Sequence, residues 1–481
     1  MTDDLAAAFA GSCRGIVVAA AGCGKTELIA QAVAKYANGR QLVLTHTHAG
    51  VRALRDRLRR LGADPGTFRV DTIAGFALRY ASAFPRISDC QVTRPKTEED
   101  YLQVYDACAR ALSNRHVRDT MCNTYTGTYI DEYQDCTTRH HAIVKALADF
   151  LPCRAVGDPM QGIFDFAEDP LADWNQDVLG YFEYLGELTT PYRWTKTNPA
   201  LGKWLSGVRD KLVSGGSIDL DGYWKPLPDT RTRVAAQVAE CKRALSLKDG
   251  AVVVIRKWDT QMFAIGKMLK GTYGCMEEVE CRALATVCGR LDGAAPGQRP
   301  AILLDFARQC MTIVPVVLKT LEKRLIAGKA PSTKIAGAYP ELCRSLVNST
   351  SIETPSAIIP VLNEIAALEG VKFHRKELYS ELCKVAANYD PDLDESLQST
   401  AWRIRESARR EGRRLPRLLI SRTVLIKGLE FEHTLIPDAN DFDSAKDLYV
   451  AVTRASRTLC VLSNKRVISR PKPSAANLYG V

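Results

Sequence analysis

The sequence feature that most constrains this chain is residues 19–26, which read AAAGCGKT. The apolar run at residues 15–18 predicts a buried strand before them, and residues 27–36 predict a helix after them. A phosphate-binding loop has these parts: a strand, a loop of small residues, and a Lys-Thr pair that opens a helix. Its loop amides and the helix N-terminus both attract phosphate. The alternative is a plain strand-to-helix turn built from small residues.

The side chains and amides of this loop predict the contacts of a nucleotide site. Lys25 would reach the β- and γ-phosphates of ATP, and the Thr26 hydroxyl would bind Mg²⁺. Ala19 stands where the pattern G-x-x-x-x-G-K-[ST] has its first glycine, so the interpretation depends on the motifs that follow. The backbone N–H groups that would surround the phosphates belong to Ala21, Gly22, Cys23 and Gly24.

Residues 129–135, YIDEYQD, place two adjacent acids at the end of an apolar strand. Successive side chains of a strand point in opposite directions, so the two carboxylates can have different partners. Asp131 would hold Mg²⁺, and Glu132 would act as the base that polarises the attacking water. An acidic pair at a strand end is often only a loop, but the phosphate loop upstream favours the catalytic interpretation.

Two further blocks carry side chains suited to nucleotide and base contacts. Residues 154–166 predict a strand followed by DPMQGIFDF, in which the Gln161 amide could sense a γ-phosphate. Phe164 and Phe166 alternate and could stack on bases, although aromatic residues at this spacing are more often core residues. Further on, Tyr192 and Arg193 supply an aromatic ring and a fixed cation side by side.

The second half of the chain has strand signals of its own. Residues 250–255 predict a buried strand, and residues 418–431 predict a strand that ends in KGLEF. Residues 447–455 predict a helix with Arg454 near its end. An arginine this far in sequence from the phosphate loop is what a second domain would contribute as an arginine finger. Residues 273–399 are mainly helical by pattern, with no evident chemistry.

Composition and charge narrow the class of protein. The 481 residues allow two to four domains, and the net charge of +10 favours a polyanionic partner. The lack of any run of 18 apolar residues argues against a membrane span, and Asp3 and Asp4 argue against a cleaved signal peptide. The 15 cysteines form no C-x-x-C pair and no zinc-like cluster, so we expect reduced thiols in a cytoplasmic protein.

Two arginine-rich stretches leave their role open. Residues 51–61 carry five arginines against one aspartate, and residues 402–417 carry seven arginines against two glutamates. Such runs are usually the solvated faces of helices, but both also suit contacts with nucleic-acid phosphates.

Taken in order, these blocks resemble the motifs of the UvrD/Rep-like branch of superfamily 1 DNA helicases. Seven motifs occur in the family's order, among them DEYQD, GDPMQGIF, PYR, KGLEF and YVAVTRA. The resemblance implies an α/β fold of two RecA-like parallel-sheet domains with ATP between them, each carrying a mainly helical insertion. The implied bounds are residues 1–80 and 122–195 for the first domain, 81–121 for its insertion, 196–275 and 400–481 for the second domain, and 276–399 for its insertion.

The resemblance also implies roles for individual residues. Tyr192 would stack on the adenine, and Glu430 would contact the ribose. Arg193 and Arg454 would neutralise charge in the transition state, while Gln161 would link the γ-phosphate to the DNA site. The positions that contact the DNA strand in this family correspond to His46, Thr47, Thr72, Phe164 and Phe166.

Several positions depart from the family pattern. No glutamine precedes Gln31, whereas the family usually reads adenine with a glutamine upstream of the phosphate loop. His46 replaces a common phenylalanine, Val424 a common DNA-contacting histidine, and Glu27 a usual arginine. We therefore expect intact phosphate and Mg²⁺ chemistry with altered adenine and DNA contacts.

Three functions fit these motifs. The first is an ATP-hydrolysing helicase that moves 3′ to 5′ on single-stranded DNA and acts at junctions of duplex and single strand, a polarity implied by the resemblance. The second is a regulatory ATPase that senses DNA or nucleotide and controls a partner nuclease; the chain resembles the helicase subunit of Gabija-type antiphage systems, which works beside an OLD-family nuclease. The third is a nucleic-acid-binding scaffold, against which Lys25, Glu132 and Arg454 argue.

Overall fold

The computed structural model describes residues 2–95, 97–164, 168–277, 282–312, 316–349, 355–390, 392–393, 396–411 and 415–473. Its strands are β1 (Arg14–Ala19), β2 (Gln41–Thr45), β3 (Phe68–Thr72), β4 (Gly127–Ile130), β5 (Cys153–Gly157), β6 (Glu183–Leu188), β7 (Ser217–Asp219), β8 (Trp224–Pro226), β9 (Val252–Arg256), β10 (Gly274–Cys275), β11 (Met311–Thr312), β12 (Lys372–Phe373), β13 (Leu418–Arg422), β14 (Phe431–Ile436), β15 (Ala455–Ser463) and β16 (Val467–Ser469). Its α-helices are α1 (Thr2–Gly11), α2 (Lys25–Gln31), α3 (His48–Arg60), α4 (Ile73–Ala83), α5 (Pro85–Ser88), α6 (Glu98–Ser113), α7 (Arg115–Thr124), α8 (Thr138–Ala148), α9 (Tyr192–Thr195), α10 (Pro199–Ser214), α11 (Arg233–Arg243), α12 (Asp259–Met268), α13 (Arg282–Asp292), α14 (Arg299–Cys310), α15 (Val316–Ile326), α16 (Thr333–Ala338), α17 (Pro340–Asn348), α18 (Ile358–Ala366), α19 (Lys376–Ala387), α20 (Leu397–Glu411) and α21 (Ala445–Val452).

The first sheet has the strand order β3-β2-β4-β5-β1-β6, and every neighbouring pair is parallel. Its centre is apolar: Val17 of β1 pairs with Val156 of β5, and both are buried. Because parallel strands end at one edge of a sheet, the residues that follow β1, β4, β5 and β6 lie along the same edge. This edge gathers the phosphate loop, the acidic pair and the two blocks that end in Gln161 and Arg193.

Helices cover both faces of the first sheet. Phe9 of α1 and Leu54 of α3 pack on one face. Val104 of α6 and Met121 of α7 pack on the other, in one core with the buried side chains of β1, β2 and β4. Residues 81–121, predicted as an insertion, therefore share the core of the first domain, and the predicted domain bounds stay a prediction.

The second sheet has the strand order β10-β13-β9-β14-β15-β8, again with every pair parallel. Strand β9 lies near its centre and is buried along its whole length. Helices α13 to α20 pack into a core of their own around side chains such as Phe306 and Leu362. The predicted fold class, two RecA-like parallel-sheet domains with a mainly helical region, is confirmed. Among the described helices, none has the length and apolar character needed to cross a membrane.

Two predicted elements differ from the structure. The single strand predicted at residues 418–431 is wrong: β13 and β14 are separated by a short 3-10 turn at Val424–Ile426 and by Gly428, whose φ is 79°. A glycine with positive φ reverses the chain where an extended strand would continue. The predicted helix at 447–455 ends earlier, at Val452, and Arg454 lies between α21 and β15.

Candidate nucleotide site between the two sheets

The phosphate loop leads from β1 into α2. Gly22 and Gly24 have φ values of 71° and 93°, which other residues rarely adopt, so the two glycines allow the tight turn. Lys25 opens α2 and is buried; its Nζ lies 3.2 Å from the Ala19 carbonyl oxygen and 3.9 Å from Glu132 Oε2. Amides in the first turn of a helix have no partner within the helix, so they and Lys25 can hold phosphate oxygens.

Thr26 and Asp131 bring two oxygen ligands together. Thr26 Oγ1 donates to Asp131 Oδ2 at 3.4 Å. Burial raises the pKa of Asp131 to about 7, and the charge of Glu132 adds to the rise, while Lys25 lowers it. A hydroxyl and a carboxylate are the hard ligands that Mg²⁺ prefers, and a divalent cation would favour the ionised form of Asp131. The pair fits a Mg²⁺ ion, and its role as ligand stays a prediction.

Glu132 follows β4 in a left-handed backbone conformation. Its φ is 55°, a conformation that costs about 1–3 kcal/mol in a residue other than glycine and that clusters at functional sites. Gln134 Nε2 donates to Glu132 Oε2 at 2.5 Å. Burial opposes ionisation of Glu132, but Lys25 and Gln134 outweigh it, so the pKa of Glu132 lies below its ordinary value. Glu132 is therefore a carboxylate at neutral pH, as a general base must be.

Gln161 joins this cluster through Asp158. Gln161 Nε2 donates to Asp158 Oδ2 at 2.8 Å, and the Asp158 backbone N–H donates to Gln134 Oε1 at 2.8 Å. Gln134 thus connects Glu132 with the turn that holds Gln161. The other end of the Gln161 amide, Oε1, accepts from Arg454 Nη2 at 3.4 Å. The edge of the first sheet therefore meets the second domain at Gln161.

Arg454 reaches the first sheet from the second. Its side chain is 1% exposed; Nε donates to the Val450 carbonyl at 2.9 Å, and Nη1 donates to the Leu429 carbonyl at 3.0 Å. Burial and, to a smaller extent, the charge of Arg193 lower the pKa of Arg454 to about 10, against the opposing effect of Glu132. The guanidinium is still charged at neutral pH. Because its side chain is buried, Arg454 is not a surface cation at the end of a helix.

Arg193 spans the two domains beside Arg454. Its Nη1 donates to the Thr453 carbonyl at 2.7 Å, and its Nη2 lies 2.7 Å from Glu430 Oε1. Tyr192 is 48% exposed and lies against the loop, since a Cβ atom at Gly24 would be 3.7 Å from its ring. The predicted contacts of Tyr192 with adenine and of Glu430 with ribose are compatible with these positions and stay predictions.

Three predicted DNA contacts have structural partners in the protein. The hydroxyls of Thr47 and Thr72 cap the first turns of α3 and α4 by accepting from backbone amides. The His46 ring packs against that of His140, with 5.6 Å between centroids, and its Nε2 lies 3.6 Å from Cys136 Sγ. Burial lowers the pKa of His46 well below its ordinary value, so the ring is neutral. Contacts of these residues with DNA stay predictions.

The structure places Lys427, a residue that the sequence reasoning missed, next to Phe164. Lys427 Nζ lies 4.7 Å from the centre of the Phe164 ring and forms an ion pair with Asp135. Both charged side chains are 7% exposed, so the pair is buried between the two domains. The available signal was the lysine that opens KGLEF directly after the apolar run at residues 424–426. Phe166, the fifth predicted DNA contact, lies outside the described residues.

Comparisons with known proteins match part of the chain. Residues 6–167 match the family model of the AAA domain. The DNA complex of arterivirus nonstructural protein 10 (helicase) is 15% identical over 52% of this chain and 49% of that chain, with a TM-score of 0.27. Pif1 helicase from Bacteroides, in complex with ADP-AlF3 and ssDNA, is 14% identical over 55% of this chain and 54% of that chain, with a TM-score of 0.29. The match spans about half the length of each of these proteins. A comparison with curated proteins found no match.

Proposed function

We propose that this chain is a superfamily 1 helicase that hydrolyses ATP between its two sheets while it moves 3′ to 5′ along single-stranded DNA. The observation that carries the proposal is the 3.4 Å contact between Arg454 and Gln161. It joins a buried arginine of the second domain to the edge of the first sheet that holds the phosphate loop. An ATP site shared by two domains makes hydrolysis depend on their relative position, and a motor requires such coupling.

The residues of the chain suit each part of phosphoryl transfer. Loop amides and Lys25 hold the β- and γ-phosphates, and Thr26 and Asp131 would hold a Mg²⁺ ion that would neutralise phosphate charge. Glu132 accepts the proton of the attacking water. Arg454 stabilises the charge that develops on the transferring phosphoryl group, because its guanidinium is already desolvated and oriented.

Gln161 and Phe164 connect the ATP site with the predicted DNA side. They follow β5 in one short segment: Gln161 contacts Arg454, and Phe164 lies beside Lys427. Movement of the second domain against the first therefore acts on both residues. The Phe164 ring suits stacking on the bases of a single strand, and the net charge of +10 adds attraction for the backbone.

ATP hydrolysis measured with and without a single-stranded oligonucleotide tests this function. We expect DNA to raise the rate, because DNA that favours the closed arrangement brings Arg454 to the phosphates. The stimulation should weaken as salt rises, since phosphate contacts release counterions. Equal rates with and without DNA at every salt concentration, down to low ionic strength, contradict the proposal.

Polarity and unwinding need separate assays. A 3′ to 5′ motor displaces streptavidin from a biotin at the 5′ end of an oligonucleotide and leaves a 3′ block in place.

The second candidate is a regulatory ATPase that controls a partner nuclease, and it hydrolyses ATP without processive unwinding of a long duplex. The shared core of residues 81–121 and the first sheet favours this candidate, because an insertion fixed in that core cannot swing independently onto a duplex.

Two further expectations stay predictions. The resemblance implies a nuclease partner of the OLD family, and the scattered cysteines favour a cytoplasmic site of action. The gene neighbourhood tests the first: a nuclease gene beside this one supports the regulatory candidate, and a repair operon argues against it.

A further inference from the structure

The phosphate loop makes one contact with the second domain that the proposed ATP chemistry does not use. The backbone N–H of Ala21 donates to the hydroxyl of Tyr449 at 3.1 Å, between residues 428 positions apart. Both residues are buried, with exposures of 4% and 2%. Burial raises the pKa of Tyr449 well above its ordinary value, so the hydroxyl keeps its proton at neutral pH.

Ala21 lies in the first part of the loop, the stem formed by residues 20–22, and its N–H, which the sequence assigned to the phosphates, is bonded to Tyr449 in this structure. On either side of it, the Ala20 N–H donates to the Leu188 carbonyl at 3.4 Å, and the Gly22 carbonyl accepts from the Arg193 N–H at 3.2 Å. These two contacts come from the end of β6 and the segment that follows it. Tyr449 adds a third support, from the second domain. A shift of the stem would redirect the amides at the start of α2, because only a short segment connects the stem to this helix.

Tyr449 lies on α21, the helix that ends just before Arg454. Arg454 Nε donates to the Val450 carbonyl at 2.9 Å, which attaches the arginine to the last turn of this helix. Helix α21 and the arginine attached to its end thus contact the first domain at two points, Ala21 through Tyr449 and Gln161 through Arg454. The position of the phosphate loop and the position of the arginine are therefore linked through α21.

We propose that Tyr449 is a positioning residue whose hydroxyl holds the phosphate loop, through the Ala21 N–H, in the conformation that binds nucleotide. This proposal rests on the proposed function, since it concerns the same site. The hydroxyl accepts a hydrogen bond from the loop backbone, so its loss should lower the affinity for nucleotide. Arg454, by contrast, acts on the chemical step. Loss of the Tyr449 hydroxyl should therefore raise KM, whereas loss of Arg454 should lower kcat.

Tyr449→Phe removes the hydroxyl and keeps the buried ring. A typical net hydrogen bond corresponds to about a fivefold change in an equilibrium constant. We expect the dissociation constant of a non-hydrolysable ATP analogue, measured by isothermal titration calorimetry, to rise about fivefold. The KM for ATP should rise in parallel, while kcat at saturating ATP should stay within about twofold.

Tyr273→Phe is the matched control. Tyr273 is fully buried in the second domain, and its hydroxyl donates to the Cys241 carbonyl at 2.8 Å. This variant also loses one buried tyrosine hydroxyl bond, but away from the loop. Its dissociation constant for the analogue should equal that of the parent chain, even if both variants lose the same amount of thermal stability.

The outcomes separate this proposal from the motor function. An unchanged dissociation constant in Tyr449→Phe overturns the proposal, and so does an equal weakening in both tyrosine variants, which would indicate a general loss of stability. A fall in kcat with unchanged affinity overturns it as well. A parent chain that binds the analogue without DNA-stimulated hydrolysis contradicts the motor and leaves the comparison of dissociation constants intact.

Discussion

The adjacent carboxylates Asp131 and Glu132 have pKa values that move in opposite directions. Burial raises the pKa of Asp131 to about 7. Burial also opposes ionisation of Glu132, but the charge of Lys25 and the hydrogen bond from Gln134 outweigh it, so the pKa of Glu132 falls. Environments that separate two neighbouring acids in this way assign them different tasks. Glu132 is ionised at neutral pH, as a general base must be, whereas the raised pKa of Asp131 is one that a bound cation would lower again by favouring the ionised carboxylate.

Replacing Glu132 by glutamine tests this assignment. Glu132→Gln keeps the shape and the hydrogen-bonding capacity of the side chain but removes the base, so turnover should fall ~10²–10⁴-fold while ATP binding persists. Single-turnover hydrolysis and analogue binding measure the two quantities. Glu183→Gln, at an exposed position that opens β6, is the control and should match the parent. Parental turnover in Glu132→Gln would show that another group takes the proton.

At the scale of elements, the shape of the phosphate loop depends on what packs behind it. A Cβ atom at Gly22 would lie 2.7 Å from the Trp194 ring and 2.9 Å from the Arg193 Cβ, and the φ of Gly22 is 71°. Trp194 is itself held by a 2.6 Å hydrogen bond from Nε1 to the Ala455 carbonyl of the second domain. The ring therefore cannot move aside without disturbing the contact between domains.

Gly22→Ala should weaken nucleotide binding at least about tenfold, because a left-handed alanine costs about 1–3 kcal/mol before any steric overlap is counted. Calorimetric titration with an ATP analogue measures the loss. Gly207→Ala is the control: it lies inside α10 with no atom within 4 Å of the added methyl group. That helical substitution should leave binding unchanged and raise stability by about 0.5–1 kcal/mol. Parental affinity in Gly22→Ala would mean that the loop adopts another shape to bind nucleotide.

At the scale of the molecule, polar contacts join the two sheets. The buried ion pair of Lys427 with Asp135 and the bond of Arg193 to the Thr453 carbonyl lie beside the contact of Arg454 with Gln161. Buried charges are costly when a partner is lost, but opening of the domains returns both partners to water. Such an interface can open and close, whereas a wholly apolar one would resist opening.

Arg454→Ala tests whether the two halves form one ATP site. Turnover should fall ~10³-fold or more, with a much smaller loss of nucleotide affinity, if the arginine acts only in the transition state. Arg454→Lys should not restore the full rate, because an ammonium group lacks the planar fork of donors. Arg457→Ala, at an exposed position of β15, is the control and should be nearly silent. Undiminished turnover in Arg454→Ala would contradict a site shared between the domains.

Several central strands of the two sheets were predictable from the sequence. Apolar periodicity is a local property, so it indicated β1, β4, β5 and β9, and the AAAGCGKT loop indicated the turn before α2. The single strand predicted at residues 418–431 is wrong from the turn at Val424–Ile426 to Gly428, since periodicity reports neither a 3-10 turn nor a positive φ. The roles of the site residues stay predictions, because no local pattern measures them.

The tertiary structure alone decided which distant residues meet. It placed residues 81–121 in the first core and paired Lys427 with Asp135, 292 positions away. It also brought Tyr449 to the phosphate loop. Contacts of this kind have no sequence period, because they depend on how two sheets pack rather than on the conformation of any one segment. The sequence by itself thus determined which chemical groups stand at the strand ends, and the packing of the sheets decided which of them act on one another.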